Sequence, residues 1–180
     1  MEKMTHLFDS VFRGYPIGNI VFWNGPETVD SWPGIGPLST KQRKGTTSYI
    51  LDGASRVSTL AGVLALPAAT DPIQDFVDWR IFLDLERDCF LSSRAAKGRP
   101  NCFPVRAAMN TADYLNFSNE IEGDENKRKT CLKVVDDFVS AISTIKIPIT
   151  TVTGIDKGQA ARIFCRLNGW RAAEHTWRVG

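Results

Sequence analysis

The chain has 180 residues and a mass of 20.0 kDa, with 43% hydrophobic and 23% charged residues. That is one domain, long enough to bury about 70% of its unfolded surface without metal or disulfide, and the composition excludes a disordered tail, a collagen-like fibre and a coiled coil. Twenty-two Lys and Arg against twenty Asp and Glu leave a net charge of +2, too small to argue for nucleic acid by itself.

Taken along the chain, Leu7–Phe12 reads as the last turns of a helix stopped at Arg13-Gly14. Ile17–Trp23, β-branched and aromatic, predicts a buried strand. Residues 24–45 are rich in Gly, Pro, Ser and Thr, carry the basic knot Lys41-Gln42-Arg43-Lys44, and predict a loop or long hairpin tip. A second strand, Thr46–Leu51, runs into Asp52-Gly53 and then a helix with Val57, Leu60, Ala61 and Leu64 on one face, ended by Pro67. Arg80–Leu85 predicts a third strand, and residues 88–123 read as irregular. From Asp124 to Ser143 the apolar spacing of Leu132, Val135, Phe138, Val139 and Ile142 predicts an amphipathic helix. Ile145–Val152 predicts a strand at a sheet edge, because Pro148 has no N–H to give a ladder. A last helix is expected over Lys157–Leu167 with Asp156 as its N-cap. Strands and helices without a regular βαβ period predict a mixed α+β fold.

The residue inventory removes several chemistries. Cys89, Cys102, Cys131 and Cys165 are far apart, with no C-x-x-C pair, and reduced thiols are expected. The two histidines, His6 and His175, stand near the ends, which excludes a Ser-His-Asp triad, an HNH nuclease and an H-E-x-x-H zinc site. Gly34-Ile35-Gly36 with Lys41 mimics a phosphate loop, but without the second glycine and the Lys-Ser/Thr ending. No apolar run approaches the ~20 residues of a membrane span, and no signal-peptide core is visible; the expectation is a cytoplasmic protein without membrane contact. Lys157 to Gly180 holds five cations and one carboxylate, Glu174. Such an end fits a solvated helix face, or a phosphate partner with Trp170 and Trp177 as stacking platforms.

The chemistry concentrates in Tyr49-Ile50-Leu51-Asp52-Gly53-Ala54-Ser55-Arg56-Val57-Ser58-Thr59-Leu60. A strand ends, an Asp-Gly turn follows, and a helix starts with an arginine in its first turn. First-turn N–H groups have no intrahelical partner and, with the helix dipole, form an anion site. Gly53 lets a ligand approach the backbone, Arg56 offers a planar donor fork for phosphate oxygens, and Ser55, Ser58 and Thr59 add hydroxyls. Asp52 suits a helix cap or a water-mediated magnesium ligand. The competing reading is a capped helix with Arg56 in a surface ion pair, where an exposed arginine contributes little to folding.

Asp52–Leu60 resembles the D-G-Q-Q-R-L-T-T-L signature of the GmrSD restriction-endonuclease N-terminal domain family. Ser10-Val11-Phe12-Arg13-Gly14-Tyr15-Pro16-Ile17-Gly18 is similar to that family's upstream S-I-l-r-G-y-P-I-G segment, and Ala161–Asn168 to its downstream e-i-F-x-R-i-N segment, in the same order. The resemblance implies a ParB/sulfiredoxin-like fold and an NTP-binding, NTP-hydrolysing module of a bacterial anti-phage restriction system, with DNA cut by a separate HNH-type domain or subunit. It implies Asp52 and Arg56 as catalytic residues, Gly53, Ser55, Thr59, Arg166 and Asn168 around the nucleotide, and NTP with Mg2+ as cofactor.

Three departures qualify the resemblance. Ala54-Ser55 replaces the family's Gln-Gln. A serine at position 55 also excludes the cysteine chemistry of sulfiredoxins. The family's opening F-Q-R segment is missing and the end after Asn168 differs, so the expectation is an incomplete domain whose Ile17–Trp23 strand is left uncovered. The alternatives carried forward are a ParB-like nucleic-acid or protein interaction module without hydrolysis, and a non-functional gene remnant.

Overall fold

In the computed structural model, which describes residues 2–26, 34–39, 47–65, 73–74 and 77–169, the chain opens with α1 (Glu2–Phe12), burying Met4, Phe8 and Val11 at helical spacing. After the Arg13-Gly14 stop, β1 (Ile20–Gly25) begins three residues later than the sequence predicts. The delay has a local cause: Pro16 cannot donate, and Gly18 sits at φ +88°, outside strand geometry. Next, β2 (Gly34–Ile35) and β3 (Leu38–Ser39) make a short hairpin, so the phosphate-loop mimic is a hairpin as far as Ser39; Lys41–Lys44 lie outside the described residues. Then β4 (Thr47–Asp52) runs into α2 (Ala54–Leu64) as expected, followed by the short strands β5 (Ile73–Gln74) and β6 (Val77–Asp78).

The stretch read as irregular is instead ordered. After β7 (Ile81–Asp84) come β8 (Cys89–Ser92), the single turn α3 (Ser93–Ala96), β9 (Cys102–Pro104), a 3-10 turn over Val105–Met109 and α4 (Thr111–Glu120). The two strands are four and three residues long, too short to show a period. The helix α4 fully buries none of its residues, so it lacks a strong apolar stripe, although Asn110 caps it through the Ala112 and Asp113 N–H groups. The remaining elements are α5 (Glu125–Thr144), β10 (Ile149–Val152) and α6 (Lys157–Leu167).

The fold is mixed α+β. One sheet has the order β10-β1-β4, with β1 parallel to β10 and antiparallel to β4; the other is the antiparallel β8-β7-β9. At the edge of the first sheet, β10 starts just after Pro148, whose carbonyl accepts the Ile20 N–H at 3.0 Å. The large core gathers Phe8, Leu83, Phe103, Val135 and Phe138 from α1, α5 and the second sheet. A smaller core, Val21, Trp23, Leu51 and Ala160, joins the first sheet to α6.

The strand expected to lie uncovered is not. As the central strand of its sheet, β1 has Ile20, Val21 and Trp23 all buried. Among the described residues the exposed large apolar side chains are Tyr15, Met109, Leu115, Ile149 and Leu167, and Tyr15 lines an open groove of about 530 Å³ with Phe12, Pro16, Ile17, Ile145 and Pro148. All four cysteines are free. Among the described residues no helix is long and apolar enough to cross a membrane.

Candidate functional site

The end of β4 is where the distant segments meet. Asp52 is the last residue of β4, and Gly53 turns the chain with φ 90° as the N-cap of α2. No side chain caps that helix, so Asp52 is not the cap the sequence allowed. Its carboxylate turns to Arg56, whose Nη2 donates to Asp52 Oδ2 at 2.9 Å. The first intrahelical bond runs from the Val57 N–H to the Gly53 carbonyl at 3.0 Å, which leaves the N–H groups of Ala54, Ser55 and Arg56 without an intrahelical acceptor. Ala54 and Ser55 are exposed. Thr59 is buried on the inner face of α2 with Gly62 and Val63, a turn past Ser55.

Arg56 is more enclosed than a surface arginine. Besides Asp52, its Nη2 donates to the Asn19 carbonyl at 2.7 Å. The guanidinium lies between two glycines of positive φ: a Cβ on Gly18 would stand 2.7 Å from Nη1, and one on Gly53 3.2 Å from Nη2. Its side chain is 30% exposed, and that of Asp52 32%. Arg56 Nε is buried and has no acceptor. The ion pair of the competing reading therefore exists, but in a slot between two chain segments, where its removal leaves the Asn19 carbonyl unpaired.

Asn19 extends the site in a direction the sequence did not single out. Its Nδ2 donates to Thr150 Oγ1 of β10 at 2.8 Å, and its Oδ1 is buried without a donor. The same loop carries Gly18, which also lines the open groove, so the groove and the Arg56 slot share a wall. From the other end of the chain, Asn168 Nδ2 donates to the Leu51 carbonyl at 2.9 Å, which ties the end of α6 to the residue before Asp52. Arg166 is exposed and has no ion-pair partner among the described residues. The structure thus brings Asp52, Gly53, Ser55, Arg56 and Asn168 to the end of one strand, leaves Arg166 on the surface of α6, and adds Gly18, Asn19 and Thr150.

A sequence profile of the GmrSD restriction endonuclease N-terminal domain matches residues 1–169. The chain belongs to this family. No curated protein matches it in sequence. As a GmrSD N-terminal domain it is a component of a restriction system, and the β4–α2 turn is the place where all three family-like segments converge. Trp170, Arg171, Glu174, His175, Trp177 and Arg178, the rest of the basic end, lie outside the described residues.

Elsewhere the ion pairs are structural. Buried Asp84 accepts from the Glu86 and Arg87 N–H groups and from the guanidiniums of Arg87 and Arg99. Burial pushes its carboxyl up, but the hydrogen bonds from Arg87, Glu86 and Arg99 together hold it below the usual range. Among the described residues no group of three His, Cys, Asp or Glu side chains could hold a metal ion.

Proposed function

We propose that the β4–α2 turn binds the phosphate groups of a nucleotide, and that this chain is the nucleotide-responsive part of a restriction system whose DNA-cutting domain is separate. The observation that carries the reading is the uncapped start of α2, where Ala54 and Ser55 are exposed and their N–H groups have no intrahelical acceptor. Unmet donors at a helix start fit an anion. The apolar groove that begins at Gly18 offers a surface for a base. Asp52 uses only Oδ2 toward Arg56, so Oδ1 remains to hold a magnesium ion through water, where the ion would screen the phosphate charge. Arg166 stands as a further phosphate partner from α6.

The internal engagement of Arg56 favours a second reading: binding without hydrolysis, as in a ParB-like interaction module. A guanidinium committed to Asp52 and the Asn19 carbonyl is not free to follow charge that develops during phosphoryl transfer. Phosphate release from ATP and GTP, with and without DNA, separates the two readings.

The binding itself is tested with Ser55→Glu. A carboxylate in the first turn interacts favourably with the helix dipole by about 0.3–1 kcal/mol, so the variant should melt no lower than the parent. The same charge repels phosphate, and ATP and GTP affinity by calorimetry should fall at least about tenfold. Unchanged affinity removes the α2 start from the site.

A further inference from the structure

We propose that a second site, separate from the β4–α2 turn and independent of how that turn is read, binds a phosphate group on a pair of arginines at the tip of the second sheet. Asp84 ends β7 and is 1% exposed. Its Oδ1 accepts the N–H groups of Glu86 and Arg87, which folds the β7–β8 turn around it. Its Oδ2 accepts from two guanidiniums, Arg87 Nη1 at 3.1 Å and Arg99 Nη1 at 3.2 Å. The turn before β8 and the loop before β9 thus bring their arginines to one oxygen atom. Both side chains reach solvent, at 61% and 38% exposure.

One arginine is enough to neutralise a single carboxylate, so the second is surplus charge. The other acids of the turn do not absorb it: Glu86 pairs with Lys127 at 2.6 Å, and Asp88 with Arg13 at 3.4 Å. Between Asp88 and Asp113 the sequence holds Arg94, Lys97, Arg99 and Arg106 and no carboxylate. Lys97, two residues before Arg99, is exposed and has no ion-pair partner among the described residues.

The unused donors set the class of ligand. Each guanidinium spends only Nη1 on Asp84, and among the described residues Nε and Nη2 of both have no acceptor. A partner that only accepts and carries negative charge matches them. The two oxygens of a carboxylate fill one guanidinium fork, whereas the oxygens of a phosphate group can serve both. The buried acid holds the two arginines in place before any ligand arrives, which lowers the ordering cost of binding.

The test uses the full chain labelled with 15N and reads the Nε–H resonances of Arg87 and Arg99, assigned through Arg87→Gln and Arg99→Gln. Either variant leaves Asp84 with one guanidinium and the Glu86 N–H. Inorganic phosphate is titrated, with chloride at equal ionic strength as the control. The amides of Ala54 and Ser55 in the same spectra report the β4–α2 turn, so the two sites succeed or fail separately. The expected result is a saturable shift of both arginine resonances with phosphate, the affinity read at Arg87 falling about tenfold or more in Arg99→Gln. Chloride should leave them unmoved. A short DNA duplex is the second arm. If it moves the same resonances and phosphate displaces it, the phosphate group belongs to a nucleic-acid backbone; if it does not, the ligand is a small phosphate compound. A phosphate shift that is absent, does not saturate, is reproduced by chloride, or keeps its full affinity in Arg99→Gln overturns the proposal, and the pair then serves only to neutralise Asp84. Should Arg99→Gln not fold, Arg87→Gln, at the more exposed arginine, decides the outcome through the Arg99 resonance.

Discussion

Arg56 binds Asp52 and Asn19 at once, with a glycine on either side of its guanidinium, and its loss should be felt twice. Truncation to Ala removes an ion pair and a charged hydrogen bond to a backbone carbonyl, so Arg56→Ala should cost about 1–2 kcal/mol of stability, discounted for partial exposure. Nucleotide affinity should fall about ten- to a hundredfold. Arg56→Lys should recover part of the affinity and only part of the stability, because both bonds leave the single nitrogen Nη2 but the ammonium lacks the planar guanidinium that fills the slot between Gly18 and Gly53. Calorimetric melting alongside nucleotide titration checks both, and a stable, non-binding Arg56→Ala would show that the slot contributes nothing to folding. A second residue-scale expectation concerns acid. The Arg80 guanidinium, aided by Ser93, lowers the Asp78 carboxyl from 3.8 to about 2. A depressed carboxylate stabilises the fold above its unfolded value and loses that contribution as pH falls from about 4 toward 2. The effect amounts to about 2 kcal/mol. In Asp78→Asn the acid limb of a stability-against-pH curve should flatten over that window, and an unchanged limb would assign acid sensitivity to other carboxylates.

Among the elements, α6 shows how a local sequence signal serves the site. Asp156 and Gln159 form a reciprocal capping box at its start, and its last turn delivers Asn168 to the Leu51 carbonyl. Asp156→Ala should cost about 1 kcal/mol and raise amide exchange in Lys157–Leu167, with a smaller loss of nucleotide affinity than Arg56→Ala causes. Protected α6 amides in that variant would mean that packing on the first sheet, not the cap, holds the helix. This cap was legible in the sequence, as was α5 with its apolar face and the strand–Gly53–helix step, since each is written in neighbouring residues. The second sheet was legible only in β7, because β8 and β9 take their places from pairing across β7 and not from any period of their own. The site was half legible for a related reason. Asp52, Gly53 and Arg56 lie within five residues, whereas Asn19 and Thr150 meet across the sheet, and nothing in either stretch announces the other. The expectation of an uncovered β1 failed because the strand order places β10 and β4 on its two sides.

On the scale of the whole molecule there are two cores of unequal size, and the candidate site borders the smaller one. Fewer buried apolar side chains hold β10 and α6 than hold β7 and α5, and β10 is an edge strand with exposed residues. Native-state hydrogen exchange should therefore find β10 and α6 opening at lower free energy than β7 and α5, with the gap narrowing when nucleotide is added, since a ligand stabilises only the closed form. Equal protection throughout would mean that the molecule opens as one unit. The parallel pairing of Ile20 with Ile149 carries a consequence for how the protein is made. Every buried member of the large core lies between Met4 and Ile142, so a nascent chain can close that core while its last residues are still inside the ribosome. By contrast, β1 must wait for a partner about 130 residues downstream, and the Leu51 carbonyl for Asn168, long closures that come late. The β4–α2 end is thus finished last, and a ribosome that stalls before residue 149 would leave a folded body without its first sheet complete.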